Sequence, residues 1–143
     1  MNRAVATFCV LLAVLAMVTG FIRLAPSDPN HWHRMPRYAK DEVFPGAVFR
    51  IVPAAGPDGL AQLHQAALAT PRTKVLNGSV PAGMVTYVSR SLVFGFPDYT
   101  TVQQDGDVLK VFGRARFGRS DFGVNHDRVD AWLTQIDGLD TGG

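Results

Sequence analysis

A chain of 143 residues holds one domain and one appendage. Its 14 basic and 12 acidic side chains give a net charge of +2, yet residues 1–25 contain Arg3 and Arg23 and no acid, so the remainder carries equal numbers of each sign. That balance excludes a nucleic-acid-binding body, which would be net basic, and the single cysteine, Cys9, excludes both a disulfide framework and a thiolate zinc site.

The first element is uncharged. "AVATFCVLLAVLAMVTGFI", residues 4–22, is nineteen residues long and would span about 28 Å as a helix, against a hydrocarbon core of about 30 Å. The sequence predicts a single-pass anchor over residues 1–25. A cleaved signal peptide is the alternative, but the apolar run is longer than the usual 7–15 residues and "VTG" makes a poor exit site. Cys9 lies inside the run, where it cannot serve as a lipid-modified first residue. The short basic N-terminus favours an N-in orientation, with the body in the periplasm of a bacterial inner membrane.

Residues 26–46, with four prolines and no hydrophobic period, read as a linker or extended strap. The α+β domain is predicted over 47–137. "AVFRIVP" alternates as a strand, and "GLAQLHQAALA" places Leu60, Leu63, Ala67 and Leu68 on one helical face behind Asp58 as a cap. "TKVLNGSV", "AGMVTYVSRSLVFGF", "YTTVQQ" and "DVLKVFGRARF" are β-like, the last two joined by an aspartate-glycine hairpin at Asp105 and Gly106. A last helix starts near Asn125 as its cap and aligns Val129, Trp132, Leu133 and Ile136. Residues 138–143 read as a frayed tail. The order strand, helix, antiparallel strands, helix predicts an antiparallel sheet with helices packed on one face.

The stretch "GRARFGRSDFGVN" carries the candidate chemistry. Strand alternation puts Lys110, Phe112, Arg114 and Arg116 on one face, and Val111, Gly113, Ala115 and Phe117 on the helix-packed face. Arg90 joins the first face from a neighbouring strand. Guanidinium forks bind carboxylate or phosphate in two-pronged fashion, so Arg90, Lys110, Arg114 and Arg116 form a candidate anion site for a lipid headgroup or envelope ligand. The competing structural reading pins the corner before the last helix with Arg116, Arg119 and Asp121, and with Asp98 and Asp130 as further partners. Gly118 and Gly123 then supply left-handed backbone, and Phe122 plugs the core.

"SRSLVFGFPDYTTV" and "VFGRARFGRSDFGVNHDRVDAWL" resemble bacterial and plastid proteins grouped as family 1499 of domains of unknown function. Arg114, Arg116, Gly118, Ser120, Asp121, Phe122, Gly123, Asn125, Arg128 and Val129 match the family's run, and the resemblance covers about residues 45–136. The family's paired aspartates are replaced here by Pro97, Asp98 and Tyr99, and its cysteine-containing entry segment by "PNHWHRMP". Arg119, Ser120, Asp121, Gly123, Asn125 and Arg128 are read as a structural corner motif, and the resemblance itself implies no activity.

Enzyme motifs are sparse. His31 and His33 lie two apart in a proline-rich segment without further ligands, so no metal and no cofactor is expected. His64 is expected to be a partly exposed helix residue. Ser120 has no base placed beside it, and Gly113 and Gly118 lack the lysine-serine ending of a phosphate loop. Two function classes follow: a membrane-anchored, non-catalytic module binding an anionic lipid, envelope component or protein partner, or a hydrolase-like enzyme using a cleft near Asp121 or His126, which a deep pocket joining Arg90, Arg114 and His126 would favour.

Overall fold

The computed structural model describes residues 2–136; the tail expected over 138–143 lies outside the described residues. The chain runs α1 (Arg3–Leu24), α2 (Pro29–Trp32), β1 (Glu42–Phe44), β2 (Ala47–Pro53), α3 (Gly59–Ala69), β3 (Thr73–Ser79), β4 (Met84–Arg90), β5 (Pro97–Asp105), β6 (Val108–Ala115) and α4 (Val124–Leu133). The six strands form one antiparallel sheet in the order β1-β2-β6-β5-β4-β3. The fold is α+β, as expected.

One face of the sheet carries α3 and α4. Val85, Tyr87, Val102, Leu109, Val111 and Val48 meet Leu60, Leu63, Ala66 and Ala67 of α3 and Val129, Trp132 and Leu133 of α4 in one core. Tyr87 and Trp132 stack edge to face at 5.5 Å between centroids. Their polar ends are satisfied locally: the Tyr87 hydroxyl meets His64 Nδ1 at 2.7 Å, and Trp132 Nε1 donates to Thr70 Oγ1 at 2.8 Å. Gly113 lets α4 approach, since a Cβ there would stand 3.1 Å from Val129 Cγ2. Leu68, assigned to the helix face from its spacing, is exposed, and Ala66 takes the buried place. The face of α3 is thus rotated slightly from the predicted one.

The other face is covered by residues 26–36. This segment does not leave the body. It contains the single turn α2, and Trp32 lies flat on Tyr99, with centroids 3.9 Å apart. Farther on, β1 adds an edge strand beside β2 through Val43 opposite Val48. Proline-rich composition concealed both contacts, because neither depends on periodicity.

α1 is 22 residues long, exposed along nearly all its surface, and long and apolar enough to cross a membrane. Only its foot touches the body. Ile22 and Ala25 are buried, the Arg23 guanidinium donates to the Val93 carbonyl, and Phe21 meets the edge of Phe117 at 6.3 Å.

Candidate functional site

The parity argument for β6 places its side chains correctly, but the face it leaves is occupied. Arg114 is buried beneath the strap. Its Nη1 donates to Thr101 Oγ1 at 2.8 Å and to the Phe112 carbonyl at 3.1 Å, and its Nη2 donates to the Trp32 carbonyl. The guanidinium lies 4.7 Å from the Phe112 ring centroid and 5.6 Å from that of Trp32. Burial lowers its pKa to about 10, opposed by the charge interaction with Tyr99. Thr101 also meets Thr86 at 2.8 Å, and Thr86 meets His33 Nδ1 at 2.8 Å. Burial, then the nearby Arg114 charge, holds His33 below its ordinary pKa. His31 meanwhile packs edge-on against Trp32, so the two histidines do not converge on one ion. Among the described residues no three metal-ligating side chains form a group.

The remaining members of the expected anion site separate. Arg116 donates to the Pro26 carbonyl at 2.9 Å and the Tyr99 hydroxyl at 3.2 Å, and it does not pair with Asp121. Lys110 lies toward the far end of β6, about 13 Å along the strand from Arg114 by residue count, and pairs with exposed Asp105 at 3.2 Å. Lys110 also lines a cavity of about 490 Å³ with Arg34, Arg37 and the Asp105 carboxylate, whereas Arg90 opens onto a separate one.

That cavity, about 500 Å³, lies at a corner of the sheet beside the foot of α1. Arg23, Arg72, Lys74 and Arg90 supply four cations to a lining that also includes Thr73, Ser91, Leu92 and Gly95 and contains no carboxylate. Its geometry is set by backbone. Arg90 N donates to the Arg72 carbonyl and Arg72 Nε to the Arg90 carbonyl, both at 3.0 Å, with Arg72 in the left-handed region at φ +56°. Arg90 Nη1 reaches the Gly95 carbonyl at 3.0 Å and the Ile22 carbonyl at 3.5 Å, tying β4 to the end of α1. Of these four cations the sequence reading singled out only Arg90. The others come from a helix end and an edge strand whose meeting depends on the docking of α1. The one local signal was the absence of acids near Arg72 and Lys74.

The corner motif is structural in a different way from that expected. The cap of α4 is Gly123 at φ +80°, and Asp121 supplies the capping oxygens: Oδ1 to Gly123 N at 3.0 Å, Oδ2 to Asn125 N at 2.9 Å and to Asn125 Nδ2 at 2.7 Å. Burial pushes the Asp121 pKa up, but these hydrogen bonds outweigh it and leave the carboxyl below its usual range. Asn125 is thus a buried first-turn residue whose Oδ1 accepts from Arg128 at 3.2 Å. Arg128 also grips Asp98 at 3.3 Å. Burial raises the Asp98 pKa despite Arg128, and the Asp121 charge adds to the rise. Ser120 Oγ accepts from Phe122 N at 3.3 Å, and Arg119 is exposed. Phe122, expected in the core, is 96% exposed at φ +55°. Asp58 makes no capping bond to α3. Asp130, expected at the corner, instead binds Arg50 Nε at 3.1 Å.

His126 sits between Asp127 and Asp130 at 3.2 and 3.3 Å. It rides on α4, on the opposite face of the sheet from Arg90 and Arg114. Arg90 and Arg114 therefore share no cleft with His126.

Residues 22–136 match the family described as "Protein of unknown function (DUF1499)", and the chain belongs to that family. No curated protein matches it significantly. The matched span begins at the last turn of α1 and includes the strap, α2 and β1, so the covering of the second sheet face falls within the family's unit.

Proposed function

We propose that this protein is a single-pass, non-catalytic module of the bacterial cell envelope that holds an anionic lipid headgroup at the periplasmic surface of the inner membrane. The observation carrying this reading is the cavity at the foot of α1, lined by Arg23, Arg72, Lys74 and Arg90 without a carboxylate. Four cations held near one another repel and gain by a shared counter-anion, and guanidinium forks suit phosphate oxygens. The location supports a lipid source: α1 is long enough to cross a bilayer, and its last turn supplies both a wall of the cavity and one of the four cations.

The test is native mass spectrometry of the full chain released from nanodiscs of mixed zwitterionic and phosphatidylglycerol lipid. Retained phosphatidylglycerol is expected on the native protein and lost from Arg72→Gln/Lys74→Gln, both of whose side chains are exposed. Equal retention by both proteins, or none by the native one, refutes the assignment.

A further inference from the structure

We infer that the β4–β5 loop, residues 91–96, is a second membrane contact, with its apolar side chains seated in the boundary of the leaflet from which α1 emerges. This rests on α1 spanning the bilayer, as proposed above.

The loop is apolar where loops are ordinarily polar. Leu92 is 73% exposed and Val93 68%, with Phe94 and Phe96 exposed beside them. Four exposed large apolar residues within five positions leave a contiguous patch facing outward, the usual mark of a contact surface. β4 ends at Arg90, so the apolar run that extends the strand pattern in sequence is not paired in the sheet.

The loop is fixed to α1, which identifies what covers it. Arg23 holds the Val93 carbonyl, and Arg90 bridges the Gly95 and Ile22 carbonyls. Gly95 is buried at φ +71°, and a Cβ there would stand 3.0 Å from Arg23 Cγ, so the loop backbone is pressed against the helix. Phe96 meets Phe117 at 6.4 Å and Phe117 meets Phe21 at 6.3 Å, forming one aromatic chain from loop to helix. Phe117 lies beyond the end of β6 and so belongs to this cluster, rather than to the helix-packed face its parity suggested.

Depth follows from length. At about 1.5 Å per residue, 22 residues give about 33 Å, slightly more than a hydrocarbon core of about 30 Å. The last turn of α1, with Phe21 and Leu24 exposed, therefore lies at the boundary of the core. Loop residues clamped to that turn lie at the same level. Arg23, Arg72, Lys74 and Arg90 beside them stand where lipid phosphates would be, with their aliphatic stems along the apolar patch. A bilayer thus meets both the apolar loop and its cationic border, and two attachments would fix the orientation of the body on the surface.

The experiment places an environment-sensitive fluorophore at single cysteines of the full chain in a Cys9→Ser background. The protein is reconstituted in phosphatidylcholine–phosphatidylglycerol vesicles containing lipids brominated at shallow or deep acyl positions. Labels at Leu92→Cys and Val93→Cys, both exposed, are expected to lose most of their emission to shallow bromines. A label at Leu15→Cys within α1 should be quenched by deep bromines, and one at Leu68→Cys on α3 by neither. Quenching at Leu15 with loop labels no more quenched than Leu68 overturns the loop inference alone and assigns the patch to a protein contact. An unquenched Leu15 overturns the spanning helix and the inference with it.

Discussion

Removal of the Arg114 side chain tests how the second sheet face is held. At about 1.4 kcal/mol per pKa unit, the fall to about 10 corresponds to roughly 3–4 kcal/mol against the charged form. Against this stand three hydrogen bonds from a charged donor, each roughly 1.5–3 kcal/mol, and a ring contact contributing about 1 kcal/mol. Neither the Trp32 carbonyl nor Thr101 is left stranded in Arg114→Ala. The Trp32 carbonyl still accepts from Thr101 at 3.3 Å, and Thr101 keeps Thr86. The expected net loss is therefore at the lower end, about 3 kcal/mol. Arg116, with two polar contacts on a half-exposed side chain, should cost under about 1 kcal/mol as alanine. Chemical denaturation of the full chain in detergent, followed by tryptophan fluorescence, measures both. Limited trypsinolysis after Arg34 and Arg37 reports release of the strap, which should accelerate only in Arg114→Ala. A cost for Arg114→Ala below about 0.5 kcal/mol, or below that of Arg116→Ala, refutes the reasoning.

Three further changes probe other parts of the framework. Arg128→Met leaves the largely buried Asp98 carboxylate unpaired and should cost about 2–4 kcal/mol at pH 7.5. Because burial raises the Asp98 pKa in the fold, the folded state binds more protons than the unfolded state just above the ordinary carboxylate range. Part of the variant's loss should thus return on acidification toward that range, and denaturation midpoints that fall equally for variant and native protein would contradict it. Gly78→Ala, at φ +84°, would put a Cβ 2.1 Å from the Met84 carbonyl and 2.7 Å from His33 Cε1, costing about 2–4 kcal/mol. Gly56→Ala, at φ +100° with open space around it, should cost only about 1–2 kcal/mol, and equal losses in thermal unfolding would refute the clash.

The sequence made the sheet legible wherever side-chain alternation decides burial. β2 coincides with "AVFRIVP" and α3 with "GLAQLHQAALA", and the hairpin expected at Asp105 and Gly106 forms with its two-residue turn one position later, at Gly106 and Asp107. The same alternation placed Arg90, Lys110, Arg114 and Arg116 on one face, but parity says only which way a residue points. What lies over that face is decided by residues 26–36, whose hold comes from one flat ring on Tyr99 and carbonyls of Pro26 and Trp32. Backbone acceptors have no sequence signature, so arginines that read as a ligand surface instead hold the chain's own strap.

The corner failed for a related reason. Read from the sequence, Asn125 is the cap and Asp121 a partner of Arg116, but Asp121 lies close enough to the helix start to take the capping role by reaching two backbone N–H groups at once. That spends its carboxylate on α4 and leaves Arg116 without the acid assigned to it. Arg116 turns to Pro26 and Tyr99, and Asp98 is left to Arg128. Among the cations that line open space, Arg72 and Lys74 are brought beside Arg90 by the β3–β4 pairing, and Arg23 joins them because Gly95 lets the loop press against α1. Docking of α1 thus adds Arg23 and one wall to a cluster that the sheet already assembles. An α1 detached from the body would therefore remove that cation and open the cavity, while leaving Arg72, Lys74 and Arg90 together and the core of α3, α4 and the sheet in place.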